Sequence, residues 1–97
     1  MRELITKVLQ WGFDKGIMDN ADAERQVLKA VSEMGEFADE VLKGDKPKQI
    51  MECGDLLVTI ILSGHKLGFD IEEALAAAYE KISTRTGVTR GGIFIKD

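Results

Sequence analysis

Two pairs of carboxylates stand out by their spacing: Glu33 and Glu36 in SEMGEFADEV, and Glu52 and Asp55 in IMECGDLLVTIIL. Residues three apart share a face if the segment is helical. The second pair is the more demanding. From Ile50 to Gly64, everything except Glu52, Asp55, Thr59 and Ser63 is apolar or small. At about 100° per residue those four fall in one narrow stripe. A helix that is apolar on most sides is buried, and an uncompensated buried carboxylate is costly. Such acids are either protonated or neutralised by divalent cations. An all-oxygen set with no His or Cys suits a hard cation, Mg²⁺ first and Mn²⁺ next. The competing reading is a solvated acidic face, the ordinary place for charge. For Glu33, Glu36, Asp39 and Glu40 taken alone it is the simpler one. The narrow polar seam of the second segment and the matching of the two pairs weigh against it. The pattern alone leaves both readings standing.

The elements that must position these acids are helical. Helical periodicity covers about residues 3–15, 22–43, 47–68 and 71–87. The first has Leu4, Ile5, Val8 and Gly12 on one side. The second carries the apolar stripe Val27, Leu28, Val31, Met34, Ala38, Val41 and Leu42, read as its packing face, with Glu33 and Glu36 directed elsewhere. Gly44 suits a C-terminal cap and Pro47 a first turn. Asp70 with Glu73 makes a start resembling a capping box. Fifteen residues separate Glu36 from Glu52, with a tight connection at residues 44–46. A connection that short makes the two helices antiparallel neighbours, so the acidic pairs face each other at similar heights. The ending VTRGGIFIKD carries a hairpin signal around Gly91 and Gly92. The expectation is an all-α chain, an antiparallel four-helix bundle with a short C-terminal β-hairpin or extended tail, forming one domain over residues 1–97.

Composition narrows the function classes. Thirteen Lys and Arg against seventeen Asp and Glu give a formal charge of −4, which disfavours a nucleic-acid polymer as partner. The single Cys53 makes no internal disulfide, and no Cys/His metal spacing is present. The N-terminus lacks a signal-peptide apolar run, and no apolar stretch reaches membrane length. A cytoplasmic protein is expected. Ninety-seven residues form a small core, and a nearly all-apolar third helix needs more cover than three others supply, so self-association is expected.

Glu33-x-x-Glu36 followed by Glu52-x-x-Asp55 across a helical hairpin resembles the signature of the MazG-like all-α nucleoside triphosphate pyrophosphohydrolases. SEMGEFADEV is similar to that family's first motif, ECGDLLVTIIL to its second and AAAYEKISTRTG to its third. The tail GGIFIKD is similar to the ends of short, single-domain members often found in phages. The resemblance runs from about residue 10 onward. It implies Mg²⁺-dependent cleavage of a nucleoside triphosphate between the α- and β-phosphates, in nucleotide-pool control, on a homodimer or dimer of dimers. Glu33, Glu36, Glu52 and Asp55 become the metal ligands and catalytic carboxylates, with the identity of any general base left open. The chain departs from the family at Tyr79, often Asn, which leaves substrate preference open, and at Ser32, where Glu is common. A phosphoribosyl-ATP-type pyrophosphohydrolase and a non-catalytic helical interaction module remain alternatives. A di-iron bundle is disfavoured, because Glu-x-x-His is missing.

Lys81 and Arg85 share a seam with Ala74 and Ala78. They read as helix-end charges suited to the C-terminal dipole or, given the resemblance, as phosphate ligands. Lys29, one turn before Glu33, is a further phosphate candidate. Trp11 reads as a base-stacking or a packing residue, and His65 as incidental. Cys53 reads as core. Thr59 and Ser63 bond back to their own helix or line the pocket.

Overall fold

The structure is a computed structural model that describes residues 1–20 and 22–97, with the side chain of Asn20 also outside the described set. The chain order is α1 (Arg2–Asp14), α2 (Ile17–Asn20), α3 (Ala23–Lys43), α4 (Lys46–Lys66), α5 (Ile71–Ser83), β1 (Gly87–Arg90) and β2 (Ile93–Lys96). Helices α3, α4 and α5 each start at an aspartate. Asp22, Asp45 and Asp70 each accept a hydrogen bond from a first-turn amide, those of Arg25, Lys48 and Glu72, satisfying one of the free donors every helix start leaves.

The centre of the fold is the α3–α4 hairpin. Gly44 closes α3 in the left-handed conformation at φ 76°, where a side chain would be strained. Asp45 opens α4 one residue later, with Pro47 in the first turn. The Gln49 amide donates to the Glu40 carbonyl at 3.1 Å and closes the turn. Antiparallel packing follows from this brevity, as expected.

α1 lies across α4. Ile5 and Gly12 of α1 are buried, as are Thr59, Ile61, Leu62, Ser63 and Gly64 of α4. Gly12 permits the approach: a Cβ there would sit 2.6 Å from Leu62 Cδ2. At the other end of α1, Arg2 donates from Nη1 to both Asp70 oxygens at 2.8 Å. Lys66 reaches back to the Met18 carbonyl at 2.8 Å and fixes the short α2.

α5 packs only at its start. Ile71 and Ala74 are half-buried, while every residue from Leu75 to Ser83 is exposed. Strands β1 and β2 pair antiparallel from Gly87↔Lys96 to Arg90↔Ile93. The two-residue loop Gly91–Gly92 has both φ angles positive, 58° and 79°, the geometry favoured in tight hairpins. The molecule is therefore mostly helical with a small C-terminal sheet. Within one chain it shows a helical hairpin with flanking elements, and α5 leaves it after its first turn, so the expected four-helix bundle is not closed by a single copy.

A second expectation changes at α3. Its less exposed positions are Ala23, Gln26, Ala30, Glu33, Phe37 and Glu40, and this is the side turned to α4. The stripe of Val27, Leu28, Val31, Met34, Val41 and Leu42 lies about a third of a turn round the helix. It stays 44% to 86% exposed. α3 gives the side with Glu33 and Glu40 to α4, so most of its apolar stripe is left exposed, with Val27 and Leu28 bordering Leu67 at one end. Among the described residues, the fully covered apolar side chains are Ile5, Ile61 and Leu62. The accessible surface is 7310 Å², against about 5,500 Å² expected for a compact monomer of this mass. The radius of gyration is 15.7 Å, where about 12.5 Å suits a compact domain of this length.

Candidate metal and phosphate site

The hairpin brings three of the four predicted acids together. One oxygen each from Glu33, Glu36 and Glu52 lies within 4.8 Å of the others. α3 supplies two of them from successive turns of one face, and α4 supplies the third across the antiparallel contact. Asp55 stands outside that trio and is exposed, yet its charge acts on both Glu33 and Glu52.

The electrostatics are those of a cluster without a counter-charge of its own. Burial, then the neighbouring Glu36, pushes the Glu33 carboxyl above the ordinary carboxylate range, and Lys29 opposes this only in part. Glu52 is pushed the same way by burial, Glu36 and Asp55. Oε2 of Glu33 and Oε2 of Glu52 are each closed off from solvent and accept no hydrogen bond. A buried acceptor without a donor is rare and unfavourable. No Lys or Arg forms an ion pair with Glu33, Glu36 or Glu52 among the described residues. The donor set is three carboxylates in reach of one point, two with orphaned oxygens, and that set fits a hard divalent cation.

A profile of the MazG nucleotide pyrophosphohydrolase domain matches residues 22–88. The chain belongs to the MazG family. The match spans α3, α4, α5 and the first strand, and so takes in the whole acidic cluster. No curated protein and no solved structure gives a significant match. For a MazG domain the general activity is nucleotide pyrophosphohydrolysis, typically dependent on a divalent metal.

The remaining predicted residues of this MazG chain are scattered. Lys29 sits one turn before Glu33 and moderates its charge. Trp11 lies on α1, half exposed. Lys81 is on the exposed length of α5, and Arg85 follows that helix beside Tyr79, Ile82 and Phe94. Neither is brought to the acids within the chain. Thr59 and Ser63 do bond back to their own helix, Thr59 to the Leu56 carbonyl at 2.7 Å and Ser63 to that of Thr59. Cys53 is half-buried against Phe37, Ile50 and Leu57. His65 contributes a ring edge contact to Phe13, with centroids 5.6 Å apart. No described helix is long and apolar enough to cross a membrane.

One acid was undervalued in the sequence. Glu40, a turn beyond Glu36, faces Lys43 at 3.6 Å through one oxygen and leaves Oε2 buried without a partner. Its spacing of seven from Glu33 was the available signal.

Proposed function

We propose that this MazG domain hydrolyses a nucleoside triphosphate between its α- and β-phosphates, giving a nucleoside monophosphate and pyrophosphate, with Mg²⁺ as cofactor and Mn²⁺ as substitute. The observation that carries this reading is the pair of orphaned buried oxygens on Glu33 of α3 and Glu52 of α4, in a cluster that Glu36 completes. A hard cation held by these carboxylates would supply the charge that no Lys or Arg among the described residues supplies through an ion pair.

Glu33, Glu36 and Glu52 would hold the cation, and Asp55 completes the acidic set from one turn further along α4. A bound divalent ion supplies charge neutralisation for the polyphosphate and lowers the pKa of a water. The chain's own work is to keep the carboxylates convergent and partly dry, so that their charge is directed at one point. A carboxylate of this set accepts the proton of the attacking water. Lys29, Lys81 and Arg85 offset phosphate charge, and Trp11 is the aromatic available to a base. The excess surface is covered by self-association as a homodimer or dimer of dimers, and the expected four-helix packing is completed between copies. The setting is the cytoplasm, the role nucleotide-pool control, and residues 1–97 act as one domain.

A panel of ribo- and deoxynucleoside triphosphates incubated with Mg²⁺, with products resolved, tests the reaction. Monophosphate with pyrophosphate supports it. Diphosphate with phosphate contradicts it, and no turnover favours a helical interaction module.

A further inference from the structure

We infer that the C-terminal hairpin is half of an intermolecular sheet: β2 pairs antiparallel with β2 of a second copy, with Ile95 at the two-fold axis. The inference rests on the self-association in the reading above and not on its chemistry, since the pairing uses none of the acids.

The hairpin is too small to stand by itself. β1 and β2 form the sole sheet among the described residues, two strands of four residues each. Such a unit is marginal in water without a third strand or a helix packed beneath it. Its own chain covers little of it: Gly87 is half-buried and residues 88–97 are exposed. Phe94 folds over Gly87, where a Cβ would come within 2.7 Å of its ring, and borders the cavity that Tyr79 and Ile82 line on α5. That accounts for one face. Alternation puts Val88, Ile93 and Ile95 on the other, where they are 49% to 68% exposed.

The register fixes which edge groups are open. A two-residue loop makes its flanking pair, Arg90↔Ile93, a hydrogen-bonded one, and such pairs alternate along an antiparallel ladder. Val88↔Ile95 is then the next, and the Asp97 amide donates to the Thr86 carbonyl at 2.9 Å in the same series. The amides and carbonyls of Phe94 and Lys96 therefore point away from β1. They make an open ladder on a strand with no proline, no bulge and no acid, where Lys96 is the one charge. Natural edge strands use several such devices against pairing; β2 has a single lysine.

A second copy is the occupant that fits. A two-fold axis perpendicular to the sheet lays β2 antiparallel to itself. With that axis at Ile95, Phe94 and Lys96 of each copy bond Lys96 and Phe94 of the other, and Ile95 lies opposite its own counterpart. Apolar cross-strand pairs favour this register, and like charges opposite each other would oppose it. Here each Lys96 meets a Phe94 ring and never the other Lys96. The product is a four-stranded sheet in the order β1-β2-β2-β1, with Val88, Ile93 and Ile95 of both copies on one continuous face. Surface for it exists. The chain exposes 7310 Å², roughly 1,800 Å² more than a compact monomer of its mass. One specific contact takes about 800 Å² from each partner, which leaves room for a hairpin contact beside a helical one.

The test is a disulfide across the axis. Ile95→Cys is made in a Cys53→Ala background, and the purified full chain is oxidised at micromolar concentration. Opposed residues of a non-hydrogen-bonded pair have Cα atoms about 4.5 Å apart, within the span that a disulfide bridges. Most of the protein should become covalent dimer. Ile93→Cys lies on the same face and is more exposed, yet its counterpart sits about 13 Å away along the partner strand. It should cross-link about tenfold less. Adding Lys96→Pro to the Ile95→Cys chain removes an outward amide that β1 does not use, and should cut the yield by about tenfold.

Equal cross-linking at both positions, or a yield that Lys96→Pro leaves unchanged, overturns the inference. No cross-link at either position also overturns it and leaves the edge to a strand of another protein. All three results let the hydrolase reading stand. A wild type that is monomeric at micromolar concentration ends the self-association reading and this inference with it. Failure of the hydrolase reading is seen separately, as absent triphosphate turnover in a wild type that still cross-links through Ile95→Cys.

Discussion

Asp70 and Glu52 carry the same chemical group in opposite surroundings. Asp70 accepts the Glu72 amide and both hydrogen bonds of Arg2, and these partners hold its carboxyl below the usual carboxylate range, the backbone bond foremost. Glu52 is partly buried among Glu36, Asp55 and Glu33, with an oxygen that nothing in the chain satisfies, and its carboxyl is held above that range. One end of the molecule spends a carboxylate on holding α1 to α5; the middle of the hairpin gathers several that destabilise one another. A fold that needed only stability would not keep the second arrangement. The difference separates a carboxylate paired for stability from one held among like charges by what surrounds it, where type and spacing alone do not.

The largest expected effect comes from removing a member of the cluster. Glu52→Gln or Asp55→Asn should lower turnover by about a hundredfold or more, since even the supporting partners of metal ligands are worth ten- to a hundredfold. The metal-free Glu52→Gln protein should melt higher than metal-free wild type, because a like charge has been removed. A lower melting temperature in EDTA would return Glu52 to a structural role.

Next in size is the cation itself. Mg²⁺ or Mn²⁺ should raise the melting temperature of wild type, with EDTA reversing it. A ligand at a hundred times its Kd stabilises by about 2.7 kcal/mol, which is roughly 10–20 °C for so short a chain. Calorimetry with and without the ion checks this, and no shift in wild type would remove the cluster from consideration as a metal centre.

Protonation sharpens the contrast further. Glu33 and Glu52 have raised folded-state values, so the folded protein holds more protons than the unfolded chain just above the ordinary carboxylate range. Stability in EDTA should therefore rise as pH falls through the raised values toward the ordinary carboxylate range, and be lost again as pH climbs back through them. Asp70 has the opposite sign: its contribution is present above its ordinary value and disappears on stronger acidification. Melting temperatures across that range, compared with Glu33→Gln, Glu52→Gln double-variant protein, should show the first slope flattened and the second retained.

The smallest effect is at the clamp. Asp70→Asn keeps a capping oxygen for α5 and weakens the pairing with Arg2 at a solvent-exposed site, so the melting temperature should fall by only a few degrees. Turnover should change little. A loss comparable to that of Glu52→Gln would mean that α1 and α5 shape the site.

Much of this was legible in the sequence for local reasons. Gly44 and Asp70 mark helix ends through bonds to residues two to four away, and Pro47 marks a first turn; such signals need no knowledge of the fold. The facing of Glu36 and Glu52 followed from the brevity of residues 44–46. The Arg2–Asp70 pair spans 68 positions and has no local signature. The outward turn of Val31 and Met34 was hidden for another reason. Periodicity reveals that a helix has an apolar face, but it does not say whether that face meets the same chain. The departure of α5 belongs to the same class, since Leu75 and Ile82 have core spacing and no core in cis.

The small interior has a consequence for handling and for the cell. With Ile5, Ile61 and Leu62 as its fully covered apolar side chains among the described residues, a single copy has little to oppose unfolding on its own. If copies associate as proposed, folding and assembly should be one bimolecular event. Specific activity should decline on dilution into the nanomolar range and recover on concentration, and preparations below a threshold concentration should be lost to proteases first. The amount of protein made would itself act as a switch, with few copies meaning no enzyme rather than less of it.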